Sequence, residues 1–292
     1  MSITSMSGKA GGAVDKDVQK ELQYQNWKNQ SAAKREEQLK REFSHQIISI
    51  AAKPKLGKSG IGLDIRTEKE IEEGYIIRFL DFDDGAEVTW KTCWASDKNI
   101  YVYCPNHINS DGTENYALTK QNAINFLRET AEMISEGVKV RAIVVDGMDK
   151  LNDCVTNKLR YEINKGDRKK MTNPISPTQY GARNIDHDEI FRNALMIEAD
   201  KVFITHLKPT FSDHMNPNPV GFVPNWNKDV PDRMHQMIKI SDESLGKKIK
   251  YVARLLASKT NPSMVGKTWT IFESDGKKAT WNGIPEMRNR EV

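Results

Sequence analysis

The residues with the most specific chemical meaning are Ala52-Lys53-Pro54-Lys55-Leu56-Gly57-Lys58-Ser59, followed by Gly60. They match the spacing G-x-x-x-x-G-K-[ST], except that Ala52 stands where the first glycine belongs. In such a stretch, successive backbone N–H groups and the start of the next helix face a chain of phosphates. A lysine in the place of Lys58 contacts the β- and γ-phosphates, and a hydroxyl in the place of Ser59 ligates Mg²⁺. The chemistry would be the binding of ATP with Mg²⁺. Ala52 is the departure that matters, because alanine tolerates a positive φ poorly.

Three further segments could serve the same chemistry. Ala142-Ile143-Val144-Val145-Asp146 is an apolar run ending in an acid, and an Asp at a strand end can hold the Mg²⁺ water shell. Leu80-Asp81-Phe82-Asp83-Asp84-Gly85 follows another apolar run. A carboxylate there can activate water beside the γ-phosphate, whereas D-D-G is also good turn chemistry. Both roles stay open for Asp83, and the turn is preferred for Asp84. Val202–His206 ends in polar residues that would face the nucleotide from the edge of a parallel sheet, with His206 sensing the γ-phosphate.

These groups need a scaffold, and the hydrophobic pattern supplies one. Strands are expected at 46–51, 75–82, 140–146 and 201–206, with later ones at 237–240, 251–258 and 268–273. Helices are expected from the phosphate loop to about Glu73, over 118–136 and over 188–199. The pieces TWKTCW and IYVYC within 87–104 look like a hairpin or small insertion. Alternating strands and helices with nearly continuous apolar strands predict an α/β fold, a mostly parallel sheet covered on both faces. The core domain is placed at 46–280. Residues 1–14 read as a disordered tail, 15–45 as a charged helical arm and 281–292 as a C-terminal tail. The arm is either a solvated helix or a contact for another subunit or partner through Tyr24, Trp27 and Phe43.

Composition narrows the class. The chain of 292 residues is 38% hydrophobic and 29% charged, enough for a packed core, and it has no apolar run near the roughly 18 residues of a membrane span. Its three cysteines are an odd number without CxxC spacing, which argues against a disulfide framework or zinc site and for a reducing compartment. A cytoplasmic location is expected. The net charge of +4 permits nucleic-acid binding without demanding it.

Taken in order, these elements resemble the RecA-like P-loop ATPases, in particular the short recombination ATPases of phages. The segments AKPKLGKSGIG, FLDFDDGAE, AIVVDGMDKL and FITHLK carry the resemblance, which covers roughly residues 46–275. It implies a RecA-like core that binds and hydrolyses ATP with Mg²⁺. Lys58, Asp146 and His206 would take catalytic roles, and Asp83 would occupy the carboxylate position where the family usually carries Glu. In ASKTNPSMVGKTWTIFE, it implies that Lys259, or secondarily Lys267, reaches the neighbouring subunit's nucleotide. The long segments 164–186 and 208–233 fall where such proteins hold DNA. The first carries Lys165, Arg168, Lys169, Lys170, Tyr180 and Arg183, the second Lys208, His214, Phe222, Trp226, Lys228 and Arg233. Basic residues interleaved with aromatics suit single-stranded nucleic acid.

The resulting expectation is a ring- or filament-forming ATPase acting on single-stranded DNA in recombination or replication, with a possible single-strand-binding or replication partner. Two alternatives share the core: a helicase- or packaging-type motor, and a nucleotide-binding adaptor with little turnover.

Overall fold

A computed structural model describes residues 12–40, 44–95, 97–211, 219–226 and 230–292. The chain divides into two units, residues 1–44 and residues 45–292. The first contains helix α1 (Gly12–Lys40). Its Val18, Leu22, Tyr24 and Trp27 are exposed, and the Tyr24 and Trp27 rings stack at 5.9 Å. Of the tail expected at 1–14, residues 12–14 belong to α1, while residues 1–11 and the contact residue Phe43 lie outside the described residues.

The second unit is built on one large sheet. Its strands are β1 (Ile47–Ala52), β2 (Ile76–Asp81), β3 (Ile100–Tyr103), β4 (Val140–Asp146), β5 (Asp200–Thr210), β6 (Gly221–Pro224), β7 (Gln236–Asp242), β8 (Ile249–Ser258), β9 (Thr268–Ser274) and β10 (Ala279–Trp281). The order is β10-β9-β8-β7-β1-β5-β4-β2-β3, with β6 hairpinned onto β5. From β7 to β3 every pairing is parallel, and β8 to β10 extend the sheet antiparallel. Parallel strands must be covered on both faces, and all seven residues of β4 are buried. Alternate residues feed opposite cores: Ala142 and Val144 pack with Ile50, Ile61 and Phe79, while Ile143 and Val145 pack with Leu127, Phe191 and Phe203.

The helices α2 (Lys58–Leu63), α3 (Glu68–Glu72), α4 (Ala86–Cys93), α5 (Tyr116–Ser135), α6 (Met148–Ile163), α7 (Tyr180–Met196) and α8 (Pro285–Arg288) complete the unit. The expected large, mostly parallel sheet flanked by helices, with a helix at the N-terminus, is therefore present. Among the described residues, no helix is long and apolar enough to cross a membrane.

Several local expectations are corrected. The TWKTCW piece is helical, not a hairpin strand, and IYVYC pairs parallel to β2. Ala86, Trp90 and Trp94 recur at helical spacing and face the core, which overrides the β-propensity of Thr, Trp and Cys. The single helix expected through Glu73 breaks at Asp64. The Asp64 carboxylate accepts from Trp281 Nε1 at 2.8 Å and pairs with Arg288. Thr67 and Glu70 then form a reciprocal cap that starts α3.

Helix α7 begins at Tyr180, eight residues before the expected start. Segment 164–186 is further organised by two 3-10 turns, Arg168–Lys170 and Pro177–Gln179. Segment 208–233 holds the end of β5 and all of β6. Residues 281–292 pack back on the domain instead of trailing. Ile284, Met287 and Val292 are buried, and the Gln236 amide donates to Val292 O at 2.9 Å. The buried Arg141 bonds the backbone oxygen of Arg288 at 3.1 Å, fixing the same segment.

Candidate phosphate-binding and catalytic site

Strand β1 runs straight into the phosphate loop. Ala52 is the last residue of that strand, fully buried and without a positive φ, so alanine fits the position. The left-handed residues are instead Lys55 (φ 64°) and Gly57 (φ 78°). Gly57 precedes α2, and Gly60 lies inside it against Trp281, whose ring would be 2.8 Å from a Cβ added there. The C-terminal segment thus supports the loop from beneath.

Lys58 is 6% exposed, and its Nζ donates to the backbone oxygen of Lys53 at 3.2 Å, closing the loop on itself. Burial lowers its pKa, while Asp146, Asp83 and Asp149 pull it back up. Ser59 Oγ donates to Asp146 Oδ2 at 2.5 Å, joining the loop helix to the end of β4. Asp146 is 2% exposed, and its Oδ1 has no hydrogen-bond partner. Burial pushes its pKa up to about 7; Asp81 and Asp83 add to the rise, and the Ser59 hydroxyl and Lys58 oppose it.

Of the three acids after β2, each has a different place. Asp81 accepts from the backbone N–H groups of Asp83 (3.1 Å) and Ala86 (2.7 Å), so it shapes the turn and caps α4. Asp84 takes the left-handed turn position at φ 55°. Asp83 points to the site, with its Oδ2 3.6 Å from His206 Nδ1. Burial raises its pKa, and His206 and Lys58 lower it. Gly147, at φ 86°, lets this turn approach β4: a Cβ there would lie 3.1 Å from Phe82 Cβ and 3.2 Å from Asp83 N.

His206 has a second carboxylate partner that sequence reasoning missed. Asp149, in the first turn of α6, accepts from His206 Nδ1 at 3.1 Å and from the His206 backbone N–H at 3.3 Å. Burial alone would raise the Asp149 pKa, but the hydrogen bonds and charge of His206 hold it below the usual value. The available signal was its place one turn beyond Asp146 at the start of a helix leaving the same sheet edge. Thr205 Oγ1 donates to the backbone oxygen of Asn225 at 2.9 Å, and Asn225 N–H donates to His206 O at 2.8 Å. The β5–β6 hairpin is therefore anchored at this site. Its Phe222 ring also lies 4.4 Å from Lys53 Nζ.

Lys58, Ser59, Asp83, Asp146 and His206 thus converge, with Lys53, Pro54, Lys55, Leu56, Gly57 and Gly60 forming the loop around them. Lys259 does not join them. It follows β8 at the opposite sheet edge, where its N–H donates to His235 O and its Nζ to Asp232 O at 2.7 Å. Lys267 pairs with Glu286.

The nucleic-acid candidates are dispersed. Lys169 and Lys170 are exposed on a 3-10 turn, and Lys170 pairs with Asp167 at 3.2 Å. The Arg183 guanidinium lies 4.7 Å from the Tyr180 ring centre at the start of α7. Lys208 is exposed on β5, whereas Trp226 is half-buried against the core. His214 and Lys228 lie outside the described residues.

The chemistry of the site fits a divalent cation. Asp146 offers an unpartnered buried oxygen and a carboxyl short of positive charge beside the Ser59 hydroxyl. Among the described residues, no group of three or more His, Cys, Asp or Glu side chains could hold a metal unaided. Mg²⁺ takes one or two protein ligands together with substrate phosphates, and the Asp146 carboxylate and Ser59 hydroxyl would hold it here.

No protein-family model and no curated protein matches the chain in sequence. Among solved structures, it is similar to the KaiC-like protein PH0186 of the hyperthermophilic archaeon Pyrococcus horikoshii OT3. The identity is 10% and the TM-score 0.48, over 81% of this chain and 89% of that one. A likeness at that level leaves the functional argument to the site itself.

Proposed function

We propose that the protein is a RecA-like ATPase that binds ATP with Mg²⁺ at the 52–60 loop and hydrolyses it. The observation that carries this is the 2.5 Å bond from Ser59 to Asp146. It sets the loop hydroxyl against an acidic strand end whose other oxygen has no partner. Bound Mg²⁺ would supply positive charge against the β- and γ-phosphate oxygens.

The residues divide the remaining work. Lys58 exchanges its bond to the Lys53 backbone oxygen for phosphate oxygens, and the loop N–H groups bind the rest of the chain. Asp83 in its ionised form takes a proton from the attacking water as the bond from the γ-phosphorus to ADP breaks. His206, held by Asp149, keeps its ring beside Asp83, and its electrostatic attraction favours that ionised form. Lys259, at the far sheet edge, acts only on the nucleotide of a neighbouring copy, which makes full turnover a property of a ring or filament.

Single-stranded DNA is the proposed substrate surface, with Lys169, Lys170, Tyr180 and Lys208 the exposed contacts and the half-buried Arg183 beside Tyr180. A role in phage-type recombination rests on the sequence segments alone. Binding of a fluorescent ATP analogue tests the assignment. Affinity should require Mg²⁺ and fall at least tenfold in Lys58→Ala and Asp146→Asn; equal affinity in all three proteins would remove the proposed site.

A further inference from the structure

A cavity of about 630 Å³ lies away from the phosphate loop. Its walls are the loop before α5, the last turns of α6, and Met171 with Thr172. The segment after α6 is folded back to form that third wall. The Asn164 side-chain amide donates to Arg160 O at 2.8 Å and to Lys170 O at 3.3 Å, and Gly166 N–H donates to Tyr161 O at 2.9 Å. Gly166 has φ 80°, and a Cβ there would lie 3.2 Å from Tyr161 Oη.

The cavity presents an aromatic face, a thioether and a small set of polar groups. Tyr161 is 49% exposed, and Met171 shares the lining. Arg160 Nη1 donates to Asn157 Oδ1 at 3.2 Å, while Arg160 Nε is buried without a partner. Lys158 also lines the cavity, but Asp186 and Glu162 hold it at 2.9 and 2.8 Å. With Glu114 and Glu162 in the walls as well, charge is balanced and a bare phosphate gains little inside. The adjoining 165–170 turn carries exposed Lys165, Lys169 and Lys170. A ligand that suits this arrangement has a flat hydrogen-bonding ring and an anionic tail. The volume lies within the range of small-molecule sites.

We propose that this cavity seats one nucleotide unit, its base against Tyr161 and its hydrogen-bonding edge toward Arg160 and Asn157, with the 165–170 lysines along the phosphates. For a unit within a strand, this rests on the proposed action on single-stranded nucleic acid. Helix α6 joins the two sites, since Asp149 in its first turn holds His206 and its last turns wall the cavity.

Fluorescence anisotropy of a labelled oligothymidylate with the full chain tests the proposal. Tyr161→Ala should weaken binding about tenfold, the size of one lost base stack. The salt slope should stay unchanged, because no phosphate contact is removed. Tyr161→Phe should restore affinity, and Arg160→Gln should weaken it while leaving the thermal unfolding midpoint in place. An abasic oligomer of equal length should not distinguish wild type from Tyr161→Ala. Free deoxythymidine has no phosphate to enter the phosphate loop. If it raises the unfolding midpoint of wild type but not of Tyr161→Ala, the cavity accepts free nucleosides; if only the oligomer responds to Tyr161, the unit comes from a strand. Equal oligothymidylate affinity in wild type and Tyr161→Ala, with no deoxythymidine effect, overturns the proposal while leaving single-strand binding standing. Failure of wild type to bind the oligomer removes the single-strand reading, and the cavity assignment then stands or falls on deoxythymidine.

Discussion

His187 gives a quantitative test of how α7 is seated. It is 1% exposed, its ring lies 6.2 Å from that of Phe191, and neither ring nitrogen has a hydrogen-bond partner. Burial lowers its pKa from 6.5 to about 4; Asp188 opposes that fall and Arg183 adds to it. Above pH 6.5 the ring is neutral in both folded and unfolded chains, so it contributes no pH dependence. Below pH 6.5 the unfolded chain takes up a proton that the folded chain refuses, and stability falls until the folded ring protonates near pH 4. The full loss for such a shift is about 3 kcal/mol, of which about 2 kcal/mol has accrued by pH 5. His187→Leu removes the titration and the two unpartnered nitrogens while keeping an apolar side chain in the core. Urea unfolding of both proteins at pH 7 and pH 5 isolates the effect as a difference of differences, in which other titrating groups cancel. Wild type should lose about 2 kcal/mol more than the variant between the two pH values. Equal losses would mean that the His187 ring is solvated or partnered, and would refute this placement of α7.

Three other outcomes follow from the site. Asp149→Ala should leave ATP affinity within about twofold and lower turnover by about 100-fold, the scale of a misplaced catalytic group; stopped-flow binding with steady-state turnover separates the two. Gly147→Ala should destabilise the fold by roughly 1–3 kcal/mol, because φ 86° and the nearby Phe82 and Asp83 both reject a Cβ, as denaturant unfolding would show. Lys259→Ala should bind ATP like wild type yet lose the rise of specific turnover with protein concentration. A variant that keeps that rise would refute action on a neighbouring copy.

Much of the central site was legible in sequence because its groups sit at strand ends, where an apolar run followed by polar residues marks the edge. The loop from Ala52 to Ser59, Asp146 and His206 were located that way, and the structure brings them together. The uncertainty over Ala52 dissolves once β1 is seen to include it and the positive φ angles fall on Lys55 and Gly57. Asp149 was hidden because a helical first-turn carboxylate is also ordinary dipole chemistry, and only the return of β5 shows that it faces His206. Trp281 was hidden for a different reason: no local pattern announces that a residue near one end of the sequence will pack under Gly57 and Gly60. Helix α4 was misjudged because residue propensity favoured a strand, while the spacing of Ala86, Trp90 and Trp94 carried the stronger packing signal.

The most direct test of the central claim is steady-state ATP hydrolysis with Mg²⁺, with and without single-stranded DNA, in wild type, Lys58→Ala and Asp83→Ala. Wild type should turn over ATP, and faster with DNA. Lys58→Ala should lose both binding and turnover, and Asp83→Ala should keep binding while turnover falls by roughly 10²–10⁴. Turnover in Asp83→Ala equal to wild type would contradict the role given to that carboxylate, and a wild type that neither binds nor hydrolyses ATP would contradict the claim itself.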